Sequence, residues 1–262
     1  MRVGFIGAGR MGAPMVRRLA EAGHQVQALG RDDEKRAAVA ELGAQPVDSA
    51  AAAVAGADVT IVCVFTDDQV RELCPGLIDA MPAGSVLVLH TTGSPRTAET
   101  LAERAAARDI SVIDAPVSGG PHDIAAGTVT VFAGGDESAV ARAREVVQSY
   151  ADPVLHVGPV GAGQRVKLVN NALFAAQIGV VAEGVRLGDR LGIEEATLLT
   201  ALTHGSAASR ALGGIAATGS ADAFIARVGE FIGKDVAVVR QTVSELDGDL
   251  GQLESLLDAA TK

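Results

Sequence analysis

Three glycines in the spacing G-x-G-x-x-G, Gly7, Gly9 and Gly12, stand in the opening stretch RVGFIGAGRMGAPMVRRLA. Val3 to Ile6 ahead of them form a short apolar run suited to a buried parallel strand. Ala13 to Ala20 behind them continue at the period of an amphipathic helix. A strand that turns directly into a helix needs each glycine for its own reason. The first permits the tight turn, the second lets backbone approach a pyrophosphate, and the third lets helix and strand pack closely. The helix start then offers free N–H groups and a positive dipole end to the phosphates. Gly7, Ala8, Gly9, Arg10, Met11 and Gly12 are therefore expected to cradle a dinucleotide, the alternative being a plain tight turn.

Beyond this loop, short Val- and Ile-rich runs alternate with helical segments as far as residue 157. Strands are predicted at 2–6, 25–29, 59–64, 86–89, 111–114, 128–133 and 154–157. Helices are predicted at about 11–21, 33–41, 67–80, 95–107 and 136–149. Such alternation implies a mostly parallel, doubly wound sheet. After Gly158-Pro159 the pattern changes to one long helix from Gln164 to about Arg190, ended by Gly192. The remainder reads as helical, with a break at TGSAD, 218–222. The expected architecture is α/β: an N-terminal Rossmann domain over 1–160, then an all-α domain over 161–262.

The formal net charge of −10 argues against nucleic acid or an anionic membrane as a partner. The longest apolar runs are interrupted by Gly, Asp or Arg, so no membrane-spanning helix is expected. The nucleotide-binding strand begins at residue 2, which leaves no room for a signal or transit peptide ahead of it. Cys63 falls in a predicted strand and Cys74 in a predicted helix, as reduced, buried thiols do. The five histidines, at 24, 90, 122, 156 and 204, lack metal-ligand spacing. A soluble, cytoplasmic, metal-free protein is expected.

The end of the second strand bears on the choice of dinucleotide. An acidic residue there holds the ribose hydroxyls of NAD, whereas an Arg nearby accommodates the extra phosphate of NADP. The strand ends at Leu29-Gly30-Arg31, with no carboxylate until Asp32. A guanidinium grips phosphate through two N–H groups, which favours NADP over NAD. Alternatively Arg31 only begins a helix in solvent, and Asp32 and Asp33 oppose a phosphate unless they cap that helix.

Three further segments carry chemistry. In DAPVSGGP, 114–121, Ser118 beside Gly119 and Gly120 offers a hydroxyl and close N–H groups to a carboxylate, or forms an ordinary polar turn. In GAGQRVKLVNN, 161–171, Lys167 and Asn171 lie four residues apart and so project from one helical face. In FIGKD, Lys234 and Asp235 are either functional or a surface ion pair.

Taken in order, these segments resemble the β-hydroxyacid dehydrogenase family over residues 1 to about 240. GFIGAGRMGAPM is similar to its cofactor signature, DAPVSGG to its substrate motif, GAGQRVKLVNN to its catalytic motif and FIGKD to its second cofactor contact. HTTGSP, 90–95, resembles the family's threonine loop, with Thr92 at the position that touches both nicotinamide and substrate. The resemblance implies that Lys167 is the general acid/base, that Asn171 orients the substrate and that Lys234 contacts the cofactor. It implies that Ser118, Gly119 and Gly120 hold the carboxylate of a small substrate. Removing hydride from an alcohol requires a proton to leave its hydroxyl, and the reverse reaction requires a donor. A partly desolvated lysine can serve as both.

The chain departs from the family pattern in places. Pro121, His122, Asp123 and Ile124 follow the two glycines where small residues are usual, and Arg210 stands at an often aromatic position. The final helical segment is also shorter than the resemblance leads one to expect. An imine reductase on the same fold, or a non-catalytic NADP-binding regulator, are the competing readings. Lys167 disfavours the first, and Lys167 with Asn171 the second. The all-round apolar helix 164–190 in a small helical domain predicts a homodimer or larger homo-oligomer.

Overall fold

A computed structural model of the chain describes residues 1–259. The chain divides into two compact units, Met1–Lys167 and Leu168–Lys262.

The first unit alternates β1 (Arg2–Ile6), α1 (Gly12–Glu21), β2 (Gln25–Leu29), α2 (Asp33–Glu41), β3 (Gln45–Val47), α3 (Ala50–Val54), β4 (Val59–Val62), α4 (Asp67–Ala80), β5 (Val86–Leu89), α5 (Pro95–Ala106) and β6 (Ser111–Asp114). It continues with β7 (Val117–Ser118), α6 (Pro121–Ala126), β8 (Val129–Gly134), α7 (Glu137–Val147) and β9 (Ala151–Gly158). Strand order is β3-β2-β1-β4-β5-β6-β8-β7, with β9 beside β8. β1 to β6 are parallel throughout, while β8 runs antiparallel to β6 and β7. Order reverses between β1 and β4, and in open α/β sheets ligands bind beyond the carboxyl ends of strands at such a point.

Central strands are apolar on both faces because helices cover both. Phe5, Ile61 and Val88 pack into one cluster with Met15 and Leu19 of α1. Their neighbours Ile6, Val62 and Leu89 point the other way, onto Cys74 and Leu77 of α4. Both cysteines are free thiols, and burial pushes each up to about 12. Four short elements were not legible in the sequence: β3, α3, β7 and α6. In β3 the breaker is Pro46, which the edge of a sheet tolerates.

α8 (Ala162–Arg190) begins in the first unit and runs on into the second, followed by α9 (Glu195–Thr203), α10 (Arg210–Thr218), α11 (Ala221–Glu245) and α12 (Leu253–Ala259). The expected break at 218–222 is a left-handed Gly219 at the C-terminus of α10. Ala175, Ile178 and Ala182 of α8 form the helical core with Leu212, Ile215 and Phe224. One sequence expectation is corrected here. α8 has the length and apolar composition of a membrane span, with mean hydropathy 1.3 over its most apolar window. Core helices of soluble proteins share that composition, and α8 carries buried Gln164, Lys167 and Asn171.

Candidate active site

The glycine loop sits at the end of β1. Gly7 has φ +101°, and a Cβ there would overlap the carbonyl of Cys63 at the end of β4. A Cβ at Gly12 would strike the Gly7 carbonyl and the Phe5 ring. Nothing lies within 4 Å of a Cβ at Gly9, so the middle glycine alone faces open space. α1 has no side-chain N-cap and no acidic residue in its first turn. The Ala13 N–H is taken by the Gly9 carbonyl at 2.8 Å and Pro14 carries none, so an anion would be met by the glycine-loop amides ahead of them and by the positive end of the helix dipole. The loop therefore fits a dinucleotide pyrophosphate.

At the end of β2, Asp32 caps α2 by accepting the Lys35 N–H at 2.8 Å. Its carboxylate is thereby turned to the helix. A second guanidinium, unforeseen in the sequence, donates from Arg36 Nη1 to the Gly30 carbonyl at 3.2 Å and pairs with Asp33. A Cβ on Gly30 would fall 2.7 Å from the backbone nitrogen of Arg36, so the backbone of α2 itself passes too close for a side chain there. Arg31 is exposed and lines a cavity of about 600 Å³ with Ala50, Ala51, Val64, Glu72 and Leu73. Its lining mixes aliphatic side chains with Gln69, Glu72 and the Arg31 guanidinium, so it offers both apolar surface and polar groups to a nucleotide.

The loop that carries Thr92 is fixed on several sides. The Thr91 hydroxyl accepts the Val64 N–H and donates to the Val64 carbonyl, each at 3.0 Å, tying the end of β5 to that of β4. A Cβ on Gly93 would strike the Asp67 carboxylate. Asp67 in turn accepts from Thr97 at 2.7 Å and Arg71 at 2.9 Å. Thr92 itself is half-buried between these anchors.

At the end of β6, Asp114 is wholly buried. Its two oxygens accept the N–H groups of Gly161 at 2.6 Å and Gln164 at 2.7 Å, which caps the start of α8. Burial pushes the Asp114 carboxyl up to about 6, against the lowering effect of those donors. Ser118 is half-buried on β7, and Gly119 is exposed with φ +137°. The Gly120 N–H donates to Asp123 Oδ2 at 2.6 Å, so that amide is already engaged. The unusual PHDI run thus forms the first turn of α6, with Pro121 at its start and Asp123 closing a cap. His122 is exposed, 3.3 Å from Asp123 Oδ1.

On α8, Lys167 and Asn171 are both buried, at 9% and 6% exposure. The Asn171 Nδ2 is buried without a hydrogen-bond partner, a donor in want of an acceptor. Lys234 is half-buried on α11 in the second unit, where desolvation lowers its pKa against the opposing pull of Asp235. Arg210 is exposed at the first position of α10. Asp114, Gln164 and the cavity beside Arg31 were missed as site features in the sequence. Only the place of the first two inside quoted motifs hinted at them.

Residues 2–158 match the family model described as the NAD binding domain of 6-phosphogluconate dehydrogenase. Residues 161–256 match that described as NAD-binding of NADP-dependent 3-hydroxyisobutyrate dehydrogenase. The chain is 35% identical over 213 residues to 3-hydroxyisobutyrate dehydrogenase of Pseudomonas aeruginosa, covering 80% of this chain and 72% of that protein. It is 34% identical over 214 residues to the NAD-dependent L-serine dehydrogenase of the same organism, with the same 80% and 72% coverage. The solved structure of Mycobacterium tuberculosis 3-hydroxyisobutyrate dehydrogenase with L-serine matches at TM-score 0.89 and 29% identity, covering 98% of this chain and 91% of that one.

Proposed function

The chain belongs to the β-hydroxyacid dehydrogenase family, and within that chemistry we propose that it acts on a small 3-hydroxy acid or the matching semialdehyde with NADP. Lys167 is the general acid/base. The observation that carries this reading is the pairing on α8 of two buried polar groups four residues apart, Lys167 and Asn171, one with an unpartnered amide. Burying an unpaired amide donor is costly in a resting protein and becomes useful when a substrate oxygen completes it.

When bound, the nicotinamide accepts or supplies the hydride. The protein's own work is placement and proton transfer. Gly7 to Gly12 and the start of α1 would hold the pyrophosphate, Arg31 the 2′-phosphate, and Lys234 a second cofactor contact. Ser118 and Gly119 would hold the substrate carboxylate. Gly120 contributes backbone shape there, because its N–H is taken by Asp123. Asn171 orients the reacting oxygen, and Thr92 stands where nicotinamide and substrate meet. In oxidation the Lys167 amine takes the hydroxyl proton, and in reduction the ammonium returns it to the forming alkoxide.

We also propose that the protein self-associates. Val169, Leu173, Val180 and Leu187 are exposed at spacings of four and seven, an apolar stripe along α8 that Leu191 extends just past its end.

A panel of 3-hydroxy acids, semialdehydes and cyclic imines, followed by nicotinamide absorbance with NADP and NAD separately, tests the reading. Turnover of 3-hydroxy acids with NADP supports it, and turnover of imines alone would replace it with imine reduction.

A further inference from the structure

Gln164 lies one helical turn before Lys167 on α8 and is only 3% exposed. A buried carboxamide is tolerated when both of its ends are bonded. Nε2 donates to the Thr91 carbonyl at 2.8 Å, and Oε1 accepts the Gly93 N–H at 3.0 Å. A carbonyl only accepts and an N–H only donates, so the partners fix which end is which. These two groups flank Thr92. One planar side chain therefore grips the backbone on both sides of that residue.

The helix end of this bridge is equally constrained. The Gln164 backbone N–H donates to Asp114 Oδ2 at 2.7 Å, and the Gly161 N–H to Oδ1 at 2.6 Å. Gly163 sits where a Cβ would press on the Asp114 carbonyl at 2.6 Å, so the helix start is seated directly on the end of β6. Asp114 fixes the first turn of α8, and Gln164 passes that fixed position to the Thr92 loop. Gln164 itself has no role in the proposed chemistry.

Resting on the roles proposed above for Lys167 and Thr92, we infer that Gln164 is a positioning residue. By bridging Thr91 and Gly93 from the helix that bears the lysine, it sets the distance between the Thr92 loop and Lys167. A displacement of about 1 Å in a reacting geometry can cost roughly a hundredfold in rate, so such a bridge has kinetic weight without touching substrate.

Two variants separate this from simple gap filling. Gln164→Leu keeps the bulk and leaves the Thr91 carbonyl and Gly93 N–H unpaired. Gln164→Glu keeps an acceptor for Gly93 but sets a carboxylate against the Thr91 carbonyl until it takes a proton. For Gln164→Leu, kcat should fall roughly tenfold to a hundredfold, with cofactor affinity measured by fluorescence titration unchanged. Amide hydrogen exchange in the cofactor-free protein should accelerate at Thr92 and Gly93 ahead of the β-strand core. The rate of Gln164→Glu relative to the parent, measured in one reaction direction, should rise as pH falls. Even if the leucine variant fails to fold, that pH profile decides the matter. Parent-like kcat in the leucine variant, or a parent-like pH profile in the glutamate variant, overturns the inference. Thr92→Ala and Lys167→Ala run alongside. If either turns over at the parent rate, the proposed function has failed and the inference falls with it. If both are slow while the Gln164 variants are not, the inference alone has failed.

Discussion

His90 Nε2 lies 2.7 Å from the Tyr150 hydroxyl, the two rings edge to face with centroids 5.7 Å apart. The other ring nitrogen, Nδ1, is 2.6 Å from the Ala115 carbonyl. A carbonyl can only accept, so Nδ1 carries the proton and Nε2 accepts from the tyrosine O–H. Both side chains are buried, and burial holds His90 down to about 4 and Tyr150 well above its usual range. The neutral pair anchors Ala115, the residue after Asp114, to the end of β5.

Two buried groups then pull stability in opposite directions between about pH 4 and 6. His90 binds its proton less readily folded than unfolded, so its contribution is present above the ordinary value of 6.5 and lost as pH falls toward about 4. Asp114, raised from 3.8 to about 6, stabilises most at low pH, and that contribution is lost as pH rises through about 6. A shift of one unit corresponds to about 1.4 kcal/mol, so each is worth a few kcal/mol and they largely offset. Denaturant midpoints of the parent minus those of His90→Gln should rise with pH across this window. The same difference for Asp114→Asn should fall. Parallel curves for either variant would refute the corresponding shift.

The phosphate-reading role proposed for Arg31 predicts a difference between the two cofactors. Arg31→Ala should weaken NADPH binding by roughly tenfold to over a hundredfold, the usual cost of about 1.5–3 kcal/mol for a charge-assisted contact. NADH binding should hardly change. Calorimetric titration with both cofactors checks this, and equal losses would show that Arg31 does not read the phosphate.

Asp123 takes the Gly120 N–H and brings a negative charge to the loop proposed to hold a carboxylate. Asp123→Ala frees that amide and removes the like charge. KM for 3-hydroxy acids should fall several-fold, on the order of the 0.5–1.5 kcal/mol of one hydrogen bond, with kcat preserved. A raised KM in steady-state kinetics would show that the cap of α6 matters more than the amide.

What could be read from the sequence depended on the range of the interactions. The Gly7–Gly12 loop was legible because strand, turn and helix are contiguous, and capping by Asp32, three residues from its partner, stood as one of two readings that local sequence left open. The grip of Gln164 on Gly93 spans 71 residues, and that of Asp114 on Gly161 spans 47. No local pattern announces such pairs. β3 was hidden by Pro46, whose edge placement only the sheet order reveals. In α8 the apolar composition was plain, but the division into a core face and the exposed Val169–Leu187 stripe depends on which helices pack around it.

That stripe makes the proposed assembly testable. Val180→Asp with Leu187→Asp places two charges on an exposed apolar face and leaves the buried Ile178 and Ala182 intact. Light scattering at micromolar protein should give a multiple of the 26.5 kDa chain mass for the parent and a smaller assembly for the variant. A parent already at 26.5 kDa rejects self-association.

Lys167 carries the strongest prediction. It is buried on α8, one turn from the Gln164 backbone that Asp114 holds, so the root of its side chain is placed by a fixed helix start. Lys167→Ala should leave dinucleotide affinity nearly intact, because the phosphates are assigned to the separate loop at Gly7–Gly12. The chemical step should slow by roughly 10²–10⁴, the contribution of a positioned acid/base. Lys167→Arg should restore little, since a guanidinium stays protonated and cannot accept a proton from the alcohol. In the parent, oxidation should quicken as rising pH removes the lysine proton, and this limb should vanish in the alanine variant. Single-turnover kinetics separate the chemical step from cofactor release. A parent-like single-turnover rate for Lys167→Ala would move the proton transfer to another residue.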